Sequence, residues 1–281
     1  MRKILIPTDF SENSMNAIKY ATELFKYNRA EIYLLHAFAD EVYDAKSRLA
    51  NEIFDDLQKK TLAKTKAALE NFREKIVDFS PNPKHNIHTI AEFGLLVDSV
   101  NDWVEKENID VVVMGTKGET ADKKITFGTN TLQVIKYVKC PVLAIPVVFG
   151  DVHPKNILFP TDYQLPYKRR ELKLVSSIAK CFVSKVDFLY VSKFSSLSLR
   201  QQDNKNFLEA SFCDNQISFK QENGTDVTKA INTFVIENPI DMLIMVNTRH
   251  SYLENILYQS TIEKIGLHID IPFLVLQNLA R

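Results

Sequence analysis

The chain has 281 residues, a length that suits two domains of about 140 or one large one. Lys+Arg and Asp+Glu both total 35, so net charge gives no case for a nucleic-acid or membrane partner. Hydrophobic content of 45% is that of a globular protein with a full core.

No apolar run approaches the ~20 residues that cross a bilayer. The opening Met1-Arg-Lys-Ile-Leu-Ile-Pro-Thr-Asp reaches an acid too soon for a signal peptide. Cytoplasmic location is the expectation. Cys140, Cys181 and Cys213 lie far apart without a C-x-x-C. Two of them sit among apolar neighbours and read as small core residues.

Lys3 to Pro7 is a short apolar strand, stopped at Pro7-Thr8-Asp9. Ser11 then reads as the N-cap of a helix carrying Met15, Ala17, Ile18, Ala21, Leu24 and Phe25 at helical spacing. Ala30 to Ala37 is the second strand. Residues 41 to 79 form one long helix or two joined ones, with an interrupted stripe from Leu49 and Ile53 to Phe72 and Ile76, ended by Pro81 and Pro83. Asn86 to Glu92 alternates like a strand, Val97 to Val104 marks a helix, and Ile109 to Met114 is a buried strand. Thr129 to Val138 is a short helix and Pro141 to Ile145 a last strand. Strands alternating with helices imply crossovers and a mostly parallel sheet, whose ligands sit beyond the strand carboxyl ends. Asp9, Ala37 and Gly115 fall at such ends and should share one crevice.

Three of the chain's 7 glycines make the pattern G-x2-G-x9-G-T across Gly115, Gly118 and Gly128-Thr129. A strand, a glycine loop and a helix start together suit an anion, a nucleotide phosphate above all. From the spacing alone, a loop that merely needs left-handed turns and binds nothing stands level with that reading. Lys117, Lys123 and Lys124 make the loop locally basic. Asp9 reads as a contact to a ribose or a magnesium ion, or as a helix cap.

The second half repeats the first. Asn156 to Tyr163 echoes Lys3 to Phe10, Ser184 to Val191 parallels Ala30 to Ala37, Pro239 to Met245 parallels Ile109 to Met114, and Ile271 to Val275 matches Cys140 to Ala144. The boundary falls near Phe149-Gly150-Asp151, giving domains 1–149 and 150–281. Residues 246 to 260 contain no glycine. There Asn247, Arg249, His250 and Gln259 would crowd the space phosphates need, and Asp162 reads as structural. His85 and His88 read as surface residues rather than ligands, His36 as a hydrogen-bonded histidine of the fold, and Trp103 as core. No Ser/His/Asp constellation, nucleophile elbow or Walker A lysine is visible. That pattern predicts binding, with slow hydrolysis at most.

Taken together, the opening Ile-Leu-Ile-Pro-Thr-Asp9-Phe-Ser-Glu-Asn-Ser14, the strand end Leu-His36-Ala37 and the glycine pattern make the chain resemble a tandem universal stress protein. The resemblance implies two tandem five-stranded α/β sheets flanked by helices, like the adenine nucleotide α-hydrolases, with ATP across the strand ends and Mg2+ as an open accompaniment. It implies Pro7, Thr8 and Asp9 near ribose and adenine, the Ala37 backbone against the adenine edge, and Gly115, Thr116, Gly118, Gly128, Thr129 and Asn130 at the phosphates. It also implies domain pairing through the last strands, within one molecule in a tandem chain, and a homodimer with a protein partner the sequence does not name. The function implied is a nucleotide-dependent regulatory or stress-response protein. A nucleotide-free scaffold and a slow ATPase remain as alternatives.

Overall fold

A computed structural model describes residues 1–46, 54–116, 127–148, 152–165, 167–194, 196–248, 252–253 and 270–278. The chain forms two compact units, and among these residues the change of unit falls between Val147 and Val148.

In the first unit, β1 (Arg2–Pro7), β2 (Ala30–Ala37), β3 (His85–Glu92), β4 (Val111–Gly115) and β5 (Val142–Ile145) form parallel pairs in the order β3-β2-β1-β4-β5. The central strands are apolar on both faces because helices cover both. Ile4, Leu5, Ile6, Val112 and Val113 are wholly buried. Helix α1 (Glu12–Leu24) starts where Ser11 accepts the Ser14 N–H, and turns Ala17, Ile18, Ala21 and Leu24 inward. Helices α2 (Ala39–Lys46) and α3 (Phe54–Phe79) occupy the stretch read as one long helix or two joined ones. On α3, Thr65, Leu69, Phe72 and Ile76 recur every three or four residues as its buried stripe. The upper part of the expected stripe, Leu49 and Ile53, lies outside the described residues. Helix α4 (Leu96–Glu107) buries Ser99, Val100 and Val104, and α5 (Thr129–Tyr137) precedes β5.

The second unit repeats this. Strands β6 (Asn156–Pro160), β7 (Lys185–Val191), β8 (Gln216–Glu222), β9 (Met242–Asn247) and β10 (Phe273–Gln277) pair in parallel as β8-β7-β6-β9-β10. Helices α6 (Arg169–Phe182), α7 (Leu199–Ser211) and α8 (Val227–Glu237) connect them. The α/β architecture of each unit, five parallel strands flanked by helices, is as the sequence implied.

Four details differ from expectation. Strand β4 begins at Val111 rather than Ile109, because Asp110 leaves the ladder: its N–H donates to the Lys3 carbonyl at 2.8 Å and its carboxylate accepts the Lys3 N–H at 2.9 Å. Trp103 is half-buried rather than core, since it lies at the sheet margin. Its indole N–H points to Glu92 at 3.4 Å, and the Lys106 ammonium sits 4.1 Å from the ring centre. Cys140 is buried, but Cys181 and Cys213 are exposed. Ile178, Ala179 and Phe182 carry the apolar character around Cys181, and a neighbour one position away on a helix points elsewhere. His85 is half-buried and His88 exposed. Three residues apart on a strand, they face opposite sides and cannot share an ion.

Candidate functional site

In the first unit the chain moves from β1 to β2 on one side and later to β4 on the other, so the carboxyl ends of β1 and β4 part at a switch point. A crevice of about 640 Å³, solvent at its mouth included, opens there. Its wall brings together Pro7, Thr8, Asp9, Ala37, Gly115 and Asn130 from the residues singled out in the sequence. Thr116 lies behind the wall: its N–H donates to Ile145 at 2.8 Å and its carbonyl accepts the Gly128 N–H at 2.7 Å. Gly128 caps α5, and Thr129 opens that helix exposed to solvent. Gly118 and the three loop lysines lie outside the described residues.

Six further residues complete the wall without having been marked as site residues in the sequence: Ser14, His36, Asp40, Leu96, Met114 and Thr131. Ser14 had a signal in its N-cap spacing from Ser11, and Thr131 in its place on the helix start. Leu96 had none, because only the fold brings α4 over the strand ends.

Local hydrogen bonds build the β1 corner. The Thr8 hydroxyl accepts the Phe10 N–H at 3.0 Å and donates to Ser14 Oγ at 3.0 Å. Asp9 Oδ1 accepts the Ser11 N–H at 3.1 Å and the Ser11 hydroxyl at 2.6 Å. Asp9 therefore works as a turn-former while it also reaches the crevice. This hook holds Phe10 at φ 64°, a left-handed conformation that a bulky residue adopts only under such constraint. The described glycines do not need positive φ, so the left-handed-turn explanation does not apply to Gly115 or Gly128. Gly115 is required for closeness: a Cβ there would stand 2.4 Å from Asn13 Nδ2.

Two features of the wall suit a nucleotide. On β2 the Leu35 carbonyl accepts the Thr8 N–H at 2.9 Å, the last bond on the β1 side. Two residues on, the Ala37 peptide faces the same way, past the end of β1, with a donor and an acceptor toward the crevice. Opposite, α5 starts at a glycine with no side-chain cap. The first-turn N–H groups of that helix carry partial positive charge. Thr131 anchors the helix start by donating its hydroxyl to the Gly115 carbonyl at 2.9 Å.

His36, buried beside the wall, has Nδ1 2.7 Å from the Thr8 carbonyl and Nε2 2.7 Å from Glu41 Oε1. It is a hydrogen-bonded histidine of the fold, as read from the sequence, and it also lines the crevice. Asp9 and Asp40 are the carboxylates on the wall. Among the described residues, no three His, Cys, Asp or Glu side chains form an ion-holding cluster.

In the second unit the equivalent corner is filled. Its remaining space is about 230 Å³. Asn247 was expected to crowd it, but its side chain turns away and donates to Gln277 Oε1 at 2.9 Å. The other expected crowders, Arg249, His250 and Gln259, lie outside the described residues. Tyr252 lines the corner instead and Tyr167 hydrogen-bonds Thr161 beside it; desolvation pushes both phenols above their ordinary range and raises the Asp162 carboxyl. Among the described residues no helix is long and apolar enough to cross a membrane.

The universal stress protein family model matches residues 1–146. A universal stress protein of Methanocaldococcus jannaschii is 30% identical over 149 residues, which are 51% of this chain and 81% of that protein. A second from the same organism is 26% identical over 156 residues, 51% of this chain and 94% of that one. The crystal structure of a universal stress protein from Archaeoglobus fulgidus aligns over 98% of this chain and 96% of that chain, with a TM-score of 0.63 at 18% identity. At that identity the likeness speaks to the fold, and it extends through both halves.

Proposed function

The chain belongs to the universal stress protein family, and from that premise we propose that it is a cytoplasmic, nucleotide-dependent regulatory protein with one adenine-nucleotide site, in its first unit. The observation that carries this reading is the pairing, across one crevice, of the outward Ala37 peptide with the uncapped start of α5. A base can take a donor and an acceptor from Ala37, while phosphates meet the helix N-terminus and the glycine loop. Pro7, Thr8 and Asp9 flank the ribose position. Gly115, Gly118, Gly128, Thr129 and Asn130 serve the phosphates of ATP, with Thr116 bracing them from behind the wall and Mg2+ met by Asp9 where it accompanies the ligand. In this reading 1–149 is the binding domain, and 150–281 has kept the fold without the function.

Denaturing freshly purified protein and identifying the released small molecule by mass spectrometry tests this reading. About one adenine nucleotide per chain is expected. Protein that is empty and also ignores added ATP sinks it, and leaves the scaffold alternative. Gly118→Val should abolish ATP binding in equilibrium dialysis while circular dichroism stays unchanged, and retained affinity contradicts the phosphate assignment. Multiple turnover in a phosphate-release assay would move the protein to the ATPase alternative. Homodimerisation and pairing of the domains through their last strands belong to the same reading, and light scattering gives the mass that checks the dimer.

A further inference from the structure

Strand register fixes where each part of the first crevice recurs in the second unit. Pro7 pairs with Leu35, and Pro160 with Leu189, so Val191 corresponds to Ala37. Ile4 pairs with Val111, and Ile157 with Met242, so Val246 corresponds to Gly115. The Thr-Asp hook recurs as well: Thr161 Oγ1 accepts the Tyr163 N–H at 3.1 Å, Asp162 Oδ1 accepts the Gln164 N–H at 2.8 Å, and Tyr163 sits at φ 56°. Six residues after the hook threonine, Ser14 has become Tyr167, whose hydroxyl hydrogen-bonds the Thr161 hydroxyl.

The Val191 carbonyl follows the last β6 pairing, the bond from the Thr161 N–H to Leu189, by two residues. It therefore aims into this corner as the Ala37 carbonyl aims into its own. The Tyr252 hydroxyl donates to it at 3.0 Å. Tyr252 lines the residual space together with Pro160, Thr161, Asp162 and Val246.

We infer that the second crevice is a self-occupied site, in which the Tyr252 ring stands as a tethered substitute for a ligand's planar ring and hydrogen-bond donor. Tyr167 and Val246 fill the adjoining room left in the first unit by Ser14 and Gly115. A group held on the same chain competes at an effective concentration that a free small molecule rarely matches. The strand ends of this unit thus stay filled without any ligand. The inference rests on the geometry of the second unit and its register correspondence with the first, and holds whether or not the first crevice takes a nucleotide.

Phenol is the probe, since it matches the ring and hydroxyl that Tyr252→Ala removes. That variant should melt lower by on the order of 10 °C, and millimolar phenol should saturably restore part of the loss without shifting the unaltered protein. A Tyr252→Ala protein that melts like the parent overturns the inference. So does a destabilised one that takes up no phenol, because the ring is then ordinary core. Should Tyr252→Ala fail to fold, Tyr252→Phe keeps the ring. Spectrophotometric titration should then count the same number of tyrosines ionising near pH 10 in variant and parent, as desolvation holds the half-buried Tyr252 phenol above its ordinary range. The loss of one normally ionising tyrosine overturns the inference.

Discussion

A methyl group added at Gly115 would stand 2.4 Å from Asn13 Nδ2 and 2.8 Å from its Cγ. Asn13 is itself buried on the inner side of α1, so it has little room to retreat. Gly115→Ala should therefore cost about 1–3 kcal/mol of stability through overpacking. It should also narrow the crevice, with the first measured by urea unfolding and the second as weaker ATP binding. An Ala variant equal to the parent in both would show that Asn13 swings away freely. The hydroxyl of Thr131 is the neighbouring control. Thr131→Val keeps the shape but removes the bond to the Gly115 carbonyl, a loss of about 1 kcal/mol. Gly115 stood out in the sequence as one of a spaced trio, yet its reason there was a turn or a phosphate. The reason in the structure is the asparagine of another element.

At the scale of elements, helix starts tie the secondary structure to the crevices. Ser198 caps α7 by accepting the Gln201 N–H at 3.3 Å, and Gln201 Oε1 returns the bond to the Ser198 N–H at 2.9 Å, completing a capping box. Gln201 Nε2 reaches on to the Asp162 carbonyl at 2.9 Å, so the same residue braces the second unit's hook. Ser198→Ala should lower stability by about 1 kcal/mol, read as a lower urea midpoint at unchanged slope. A midpoint unmoved would mean that packing alone holds the helix. Ser11, capping α1, was legible from its place before an apolar periodic run. Helix α7 is less legible, because it buries just Gln201 and Leu208. With so few inward apolar residues, its helical period is faint in the sequence.

For the molecule as a whole, the response to acid follows from groups whose environments differ between folded and unfolded chain. His85 Nε2 meets the Phe25 carbonyl at 3.2 Å, and Nδ1 is buried with no partner among the described residues. Burial holds its pKa below the ordinary 6.5. The unfolded chain then takes up a proton first, so stability falls as pH drops from about 6.5 toward the folded value. Glu31 is held below its ordinary 4.5, chiefly by its hydrogen bond to His88, so its contribution is lost only at lower pH. The melting temperature should be flat from pH 8 to 7 and decline below about 6.5, and His85→Gln should remove the upper part of that decline. An unchanged profile in the variant would reject the assignment.

The order of strands and helices, the duplication and the Thr-Asp corner at each strand end are written locally. Apolar periodicity, caps and turn residues act over a few positions, and each copy shows them to a reader of the sequence alone. Which side chains meet across the strand ends is a different matter. Thr131 reaches Gly115 from 16 residues away, and Tyr252 reaches Val191 from 61. Asn247 looked like an obstruction until β10 placed Gln277 beside it. Trp103 looked like core until α4 put it at the sheet margin. Such contacts depend on strand register and on the switch in strand order, which bring distant segments together. Short-range patterns carry no record of that register, and so the tertiary structure decided that one crevice is open while its counterpart is filled by a tyrosine.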